Sequence, residues 1–263
     1  MNYRMIALDV DGTLLNDHHE LTPKVRGAVR EAASRGAEIV LCTGRGSTSA
    51  LPVLKELGLQ GTMITHNGAS VVDSESRSIL FDTVISHDSA FPYINYCRER
   101  GIHFDMNTAF DLFTEAIGEE AETMYRNLKA QPISRRKDDA FPERLVKLSI
   151  YASKEMMDGV ETEWGTWKSK LQFVRSGDNF IDVQSHEATK GKALERLAAM
   201  RGIPRKSILA LGNYYNDLGM IAFAGKGVAM DNSPPEVKEK ADAVTLSNNE
   251  DGVAAALEAY VFS

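Results

Sequence analysis

Cysteine is nearly absent from this chain: Cys42 and Cys97 are the only two in 263 residues. One lies in an apolar strand-like run and the other in a helical stretch. No disulfide framework is indicated, and reduced thiols of a cytoplasmic protein are expected. No apolar run approaches the ~18 residues that a membrane-spanning helix requires. The opening MNYRMIALDV lacks the long apolar centre and small-residue cleavage site of a secretory leader. Basic charge is also scarce. Thirty Lys and Arg stand against 37 Asp and Glu, a formal charge of -7. Nowhere do the cations gather into a stripe that would follow a phosphodiester backbone. Nucleic acid and membrane are therefore not expected partners. A small phosphorylated metabolite, whose charge a few groups can meet locally, fits this balance.

What is present is a globular composition, 43% hydrophobic, enough to bury one large core or two modest ones. Residues 3–8 form a compact apolar strand pattern, and Thr22-Pro23 opens a helix with Val25, Ala28, Val29 and Ala32 at helical spacing, closed by Gly36. Strand 38–42, helix 47–57 and strand 62–65 follow. This β-α-β-α-β order predicts a parallel sheet with helices on its faces. Residues 70–81 read as strand, polar turn and strand, and beyond Asp82 the alternation loosens. The middle reads as helix 88–100, strands 102–107 and 111–115, helix 118–129, strand 145–151, helix 153–168 and strands 172–176 and 180–184. That is an α+β module on an antiparallel sheet. Regular order returns with helix 190–201, strand 208–211, helix 216–224, strand 227–230, a short helix after Pro234-Pro235 and strand 243–246. The expected organisation is one α/β domain, residues 1–82 and 186–263, interrupted by an α+β insertion, residues 83–185.

Asp9-Val10-Asp11-Gly12-Thr13-Leu14 follows the first strand, which puts both carboxylates at the carboxyl end of a parallel sheet, where α/β ligands bind. Residues two apart on an extended chain point the same way. Adjacent carboxylates repel, so one is readily kept protonated unless a cation is near, an asymmetry that suits one as nucleophile and the other as acid and base. A lone Asp-x-Asp is as often an Asx turn. Thr43-Gly44-Arg45, after the second strand, brings a hydroxyl and backbone N–H groups to the same edge, where they can hold a phosphate oxygen. The run 44–49 half-matches a dinucleotide fingerprint, but Ser49 stands where its third glycine belongs. Asn67-Gly68, after the third strand, can present an amide to a substrate. Lys190 begins a helix, adding full charge to an anion-friendly N-terminus. Gly212-Asn213-Tyr214-Tyr215-Asn216-Asp217 brings a carboxylate and two amides to the same edge, able to complete an oxygen-rich magnesium site or simply to cap a helix. His18 and His19 have no spaced partner, and Trp164 and Trp167 have the spacing of core residues.

DVDGTL, TGR, TKG and GNYYND thus occur in one order, each after a strand, and GVAMDN, ADAV and SNNEDGVA trail them. Together they resemble the haloacid dehalogenase superfamily, the Cof-type sugar-phosphate phosphatases in particular, over nearly the whole chain. The resemblance implies a doubly wound, Rossmann-like parallel-sheet core with an inserted α+β cap. It further implies a magnesium-dependent phosphatase in which Asp9 attacks phosphorus and Asp11 protonates the leaving group, then activates water. Lys190 would steady Asp9 and the phosphoryl charge. Val10, Thr43, Gly44, Arg45, Asn67 and Asn216 would hold the phosphate or substrate, and Mg2+ would sit among Asp9, the Asp11 carbonyl, Asn213 and Asp217. The family pattern GDxxND has Asp where this chain has Asn213, which leaves Asp9 as the charged ligand in direct contact, with Asp217 a candidate to compensate. A phosphomutase shares this chemistry. A phospho-metabolite binding protein with weakened turnover is the reading that Asn213 favours.

Overall fold

Residues 2–128 and 130–263 are described by the computed structural model, so the expected last helical residue Lys129 lies outside the described residues. The chain divides into two compact units, Met1–Phe81 with Thr189–Ser263, and Asp82–Ala188.

The first unit is built on an eight-stranded sheet. Its N-terminal part runs β1 (Met5–Leu8), α1 (Pro23–Ser34), β2 (Glu38–Cys42), α2 (Ser47–Glu56), β3 (Thr62–Thr65), β4 (Ser70–Asp73) and β5 (Ser78–Asp82). The second unit follows with α3 (His87–Arg100), β6 (His103–Asn107), β7 (Leu112–Thr114), α4 (Glu119–Leu128), β8 (Ile133–Ser134), β9 (Lys147–Tyr151), α5 (Lys154–Trp164), β10 (Leu171–Gly177) and β11 (Phe180–Ser185). The chain returns to the first unit through α6 (Lys190–Arg201), β12 (Ile208–Gly212), α7 (Leu218–Phe223), β13 (Lys226–Ala229), α8 (Pro235–Lys240), β14 (Ala243–Val244) and α9 (Gly252–Leu257).

The first sheet has the order β14-β13-β12-β1-β2-β3-β4-β5. From β14 to β3 each neighbouring pair is parallel, and β4 turns back antiparallel to β3. β1 is therefore central. All four of its residues are fully buried, the continuous apolar run expected of a strand covered on both faces. Met5 and Ala7 face one layer with Val40, Ile64 and α6 residues Leu194 and Leu197. Ile6 and Leu8 take the opposite face by alternation. Because the strands run parallel, their carboxyl ends all open onto one edge.

The second unit has its own core. Its sheet has the order β10-β11-β9-β6-β7-β8. It is antiparallel except for β7 with β8. Phe104, Met106, Leu148, Ile150, Ile181 and Val183 pack with Tyr93, Cys97, Met157, Val160 and Trp164 of α3 and α5. The alternate residues form a buried polar row: Lys147 Nζ lies 3.2 Å from Asp182, Ser149 donates to Asp182 at 2.9 Å, and Asn107 donates to Ser149 at 3.2 Å. Both cysteines are buried and free. Burial pushes the Cys97 thiol up to about 12 and raises Cys42 further, so neither supplies a thiolate nucleophile. Among the described residues no helix is long and apolar enough to cross a membrane.

Candidate active site

Asp9 follows β1 directly, and its N–H continues the ladder to the Leu211 carbonyl at 3.0 Å. The chain then folds over itself: the Val10 carbonyl accepts from the N–H groups of Leu14 and Leu15, both at 3.0 Å. Gly12 makes this turn with φ +76°, and a Cβ there would lie 2.4 Å from the Asn213 amide, so both backbone and space demand glycine. Asp9 is 5% exposed.

Lys190 is brought to Asp9 by α6, whose first residue it is; Thr189 caps that helix by accepting from the Lys192 N–H at 3.2 Å. The ammonium, 1% exposed, donates to Asp9 Oδ1 at 2.6 Å and to Asp217 Oδ1 at 2.7 Å. Two buried carboxylates thus share one cation. Burial, then the Asp217 carboxylate, lifts Asp9 to about 7, against the opposing pull of Lys190 and the Thr13 hydroxyl. For Lys190, burial works against the charge, but Asp217 and Asp9 outweigh it and hold the pKa above the ordinary lysine value.

Asp217 accepts through Oδ2 from the N–H groups of Asn213 at 2.9 Å and Tyr214 at 3.0 Å. Both of its oxygens are engaged by nitrogen donors. Asp217, expected from the sequence beside a metal, here anchors Lys190 and the 213–214 backbone. Gly212 leaves it room, since a Cβ there would lie 2.5 Å from Asp217 Cβ.

Arg45 also has partners other than those expected of a phosphate ligand. Its guanidinium forks onto Asp11, Nε to Oδ2 at 2.8 Å and Nη2 to Oδ1 at 2.5 Å. His19, to which the sequence gives no role, lies 3.8 Å from the same carboxylate. Thr43 is buried at the end of β2, where its hydroxyl accepts from the Arg45 N–H at 3.1 Å. His66 and Asn67 adopt left-handed φ values of +50° and +55°, a conformation costing about 1 kcal/mol or more for a non-glycine residue. It is held by Asn67 N–H to the Thr43 carbonyl at 3.0 Å and His66 N–H to the Arg45 carbonyl at 2.9 Å. Asn67 Oδ1 then accepts from Asn216 Nδ2 at 3.0 Å and lies 3.0 Å from where a Gly44 Cβ would stand. Thr43, Gly44, Asn67 and Asn216 therefore meet beside the Asp9 loop.

Three contributors escaped the sequence reading. Thr13 is buried, with its hydroxyl 3.2 Å from the Asn213 amide. Asn232 donates to the Gly12 carbonyl at 2.8 Å and accepts from the Asn248 N–H at 3.1 Å, while Asn248 donates to the Leu15 carbonyl at 3.1 Å. These brace the Asp9 loop from behind. Both asparagines stand in the trailing segments GVAMDN and SNNEDGVA, but a long-range side-chain bond to a carbonyl leaves no local signature.

The residues fit a small hard cation. One end of the Asn213 amide lies 3.1 Å from Asp9 Oδ2, 3.1 Å from the Asp11 carbonyl oxygen and 3.2 Å from Thr13 Oγ1. With its oxygen at that end, Asn213 stands from the Asp9 oxygen and from the Asp11 carbonyl at a spacing close to the ~3 Å between neighbouring ligands of a magnesium ion with bonds of ~2.1 Å. Among the described residues no group of three His, Cys, Asp or Glu gathers as a metal site. Such a centre rests here on one carboxylate, one backbone carbonyl and one amide.

Residues 6–257 match the family model of haloacid dehalogenase-like hydrolases. YxeH of Bacillus subtilis is 35% identical, over 99% of each chain. Phosphatase YwpJ of the same organism is 30% identical, over 95% of this chain and 97% of that one. The solved structure of a haloacid dehalogenase-like hydrolase from Bacteroides thetaiotaomicron superimposes with a TM-score of 0.88 at 28% identity, covering 98% of this chain and 99% of that one. The match in sequence and the match in fold extend over both units, and on that ground the chain belongs to the haloacid dehalogenase-like hydrolases.

Proposed function

We propose that the chain is a magnesium-dependent phosphomonoesterase acting on small phosphorylated metabolites, sugar phosphates among them, through an aspartyl phosphate on Asp9. The observation that carries this reading is Asp9 itself: a buried carboxylate at a strand end, one oxygen on an ammonium and the other facing the Asn213–Asp11 oxygens. A phosphate dianion would be repelled by a lone carboxylate. Lys190 offsets that repulsion, and a bound cation held by Asp9, the Asp11 carbonyl and Asn213 would neutralise phosphoryl oxygen charge as it develops.

An Asp9 oxygen attacks phosphorus in line, and the bond from phosphorus to the leaving oxygen breaks as that oxygen takes a proton from Asp11. Water then attacks the aspartyl phosphate, giving its proton to Asp11 and regenerating Asp9. The Arg45 fork occupies both Asp11 oxygens, so Arg45 lets go of Asp11 before the first proton transfer. The hydroxyl of Thr43 and the amides of Val10, Gly44, Asn67 and Asn216 hold the phosphoryl oxygens. Selection among leaving groups is assigned to the second unit.

Asn213 supports a second reading, a phospho-metabolite binder of low turnover, because an amide brings no charge to the cation. One experiment addresses both. Asp9→Asn removes the nucleophile's charge and keeps its shape, so phosphate release from a metabolite panel in magnesium should fall by ~10³-fold or more with the fold unchanged by circular dichroism. Quenched parent enzyme should carry one phosphoryl group on the peptide containing Asp9. Near-normal release by the variant would overturn the covalent mechanism, and absence of turnover in the parent would favour the binder.

A further inference from the structure

We infer that the Asn213 side chain is a built-in occupant of the cation position, turning its NH2 onto Asp9 and the Asp11 carbonyl before metal binds and yielding to the cation by a half-turn of the amide.

The inference rests on the metal-dependent reading above and concerns what this chain does differently at the same place. Three groups surround the inner end of the amide: Asp9 Oδ2 at 3.1 Å, the Asp11 carbonyl at 3.1 Å and Thr13 Oγ1 at 3.2 Å. The Asp11 carbonyl, and Asp9 when ionised, can only accept hydrogen bonds. An amide oxygen placed there with no cation receives one hydrogen bond, from Thr13, and sets its negative end against a buried carboxylate and a carbonyl. An amide nitrogen placed there has two hydrogens for two obligate acceptors. The Thr13 hydroxyl, with its hydrogen no longer on Asn213, is then free to donate elsewhere. The two orientations occupy the same volume, because an amide's oxygen and nitrogen differ little in size. The protein thus has a nitrogen-in form that satisfies Asp9 and an oxygen-in form that completes a trio of oxygens for a cation, separated by rotation about a single bond.

Aspartate at this position cannot do the same. It has no hydrogen to give when ionised, and it would add a third carboxylate to the group that Asp9 and Asp217 form around Lys190. In such a protein the cation relieves repulsion; in this chain the amide has already relieved it. Magnesium must therefore displace an internal competitor, and the protein without metal keeps an intact site.

The test reads stability and a resonance rather than turnover. Purified full-length parent, Asn213→Asp and Asn213→Leu are stripped with chelator and melted at pH 7.5 with and without magnesium chloride. Without metal, both variants should melt at least ~3 °C below the parent, one through added repulsion and the other through lost donors. Magnesium should raise the Asn213→Asp midpoint by more than it raises the parent's and should leave Asn213→Leu unmoved. In a ¹⁵N spectrum, the side-chain NH2 pair missing from Asn213→Asp should resist exchange with water in stripped parent and lose that protection at saturating magnesium. A stripped Asn213→Asp protein at least as stable as the parent would overturn the inference, as would an NH2 pair indifferent to magnesium that does raise the midpoint. If magnesium stabilises none of the three, the metal-dependent reading fails by itself, while the order of the stripped midpoints still decides whether the amide holds Asp9.

Discussion

Lys190 stands between Asp9 and Asp217, and the three side chains form a buried unit of net charge -1 when all are ionised. Removing one partner of a buried charge group costs about 3–5 kcal/mol, because the remaining charges lose their compensation. Lys190→Met should lower stability by about that amount in thermal melts. The loss should depend on pH in a set direction. Asp9 titrates in the folded protein near 7, above its ordinary value of 3.8, so folding gains from its protonation at acid pH and loses that gain as pH rises through 7. The deficit of Lys190→Met should accordingly be smaller at pH 5.5 than at pH 8; an equal deficit at both would mean that Asp9 is not the group left uncompensated. At this scale the sequence showed which residues gather but not which pair forms. Polar side chains after successive parallel strands must share an edge, and so the gathering of Asp9, Thr43, Asn67 and Asn213 was legible, while Lys190 was marked by its place at a helix N-terminus. Asp217 on Lys190 and Arg45 on Asp11 were not, since a partner in space depends on rotamers that chain spacing does not determine.

At the scale of elements, α6 aims Lys190, and its seating depends on glycine. A Cβ on Gly191 would lie 2.5 Å from the backbone carbon of Gly219, where α6 crosses the start of α7. Backbone cannot give way as a flexible side chain can. Gly191→Ala should therefore push α6 outward, costing about 1–3 kcal/mol, and withdraw the neighbouring ammonium from Asp9. Phosphate release should fall at least ~10-fold, a drop that Ala at Gly27 of α1, with nothing within 4 Å, should not reproduce. The alternating strands and helices of the first unit were readable because their apolar periods are clean. Other elements were less so. β8 has two exposed residues and exists only through its pairing with β7. α5 stops at Trp164, before the expected end at 168, because Gly165 caps it and Trp167 turns back to pack on Tyr93 and Tyr96. α9 passed unread at the C-terminus, although Val253, Ala254 and Leu257 have helical spacing and are buried.

For the whole molecule, the relevant fact is that each unit owns a core. Trp164, Tyr93, Leu148 and Val183 belong to one cluster wholly within residues 82–188, while Met5, Val40 and Leu194 belong to another. Residues 82–188 expressed alone should melt cooperatively. The remainder, joined by a short linker, should still release phosphate from small aryl phosphates but lose its preference among sugar phosphates. A linked remainder that kept that preference would remove leaving-group selection from the second unit.

The central position of β1 has a consequence in time. On one side β1 pairs with β2, made soon after it; on the other its partners are Ile208 to Leu211, made only after the entire middle segment. Contacts between such distant stretches form slowly, since a long loop must close first. As the chain leaves the ribosome, the contiguous middle segment can finish folding while the first half of the sheet waits with an open edge. Asp9 is synthesised before the entire middle segment, yet Lys190 and Asn213, which complete its surroundings, come only after it.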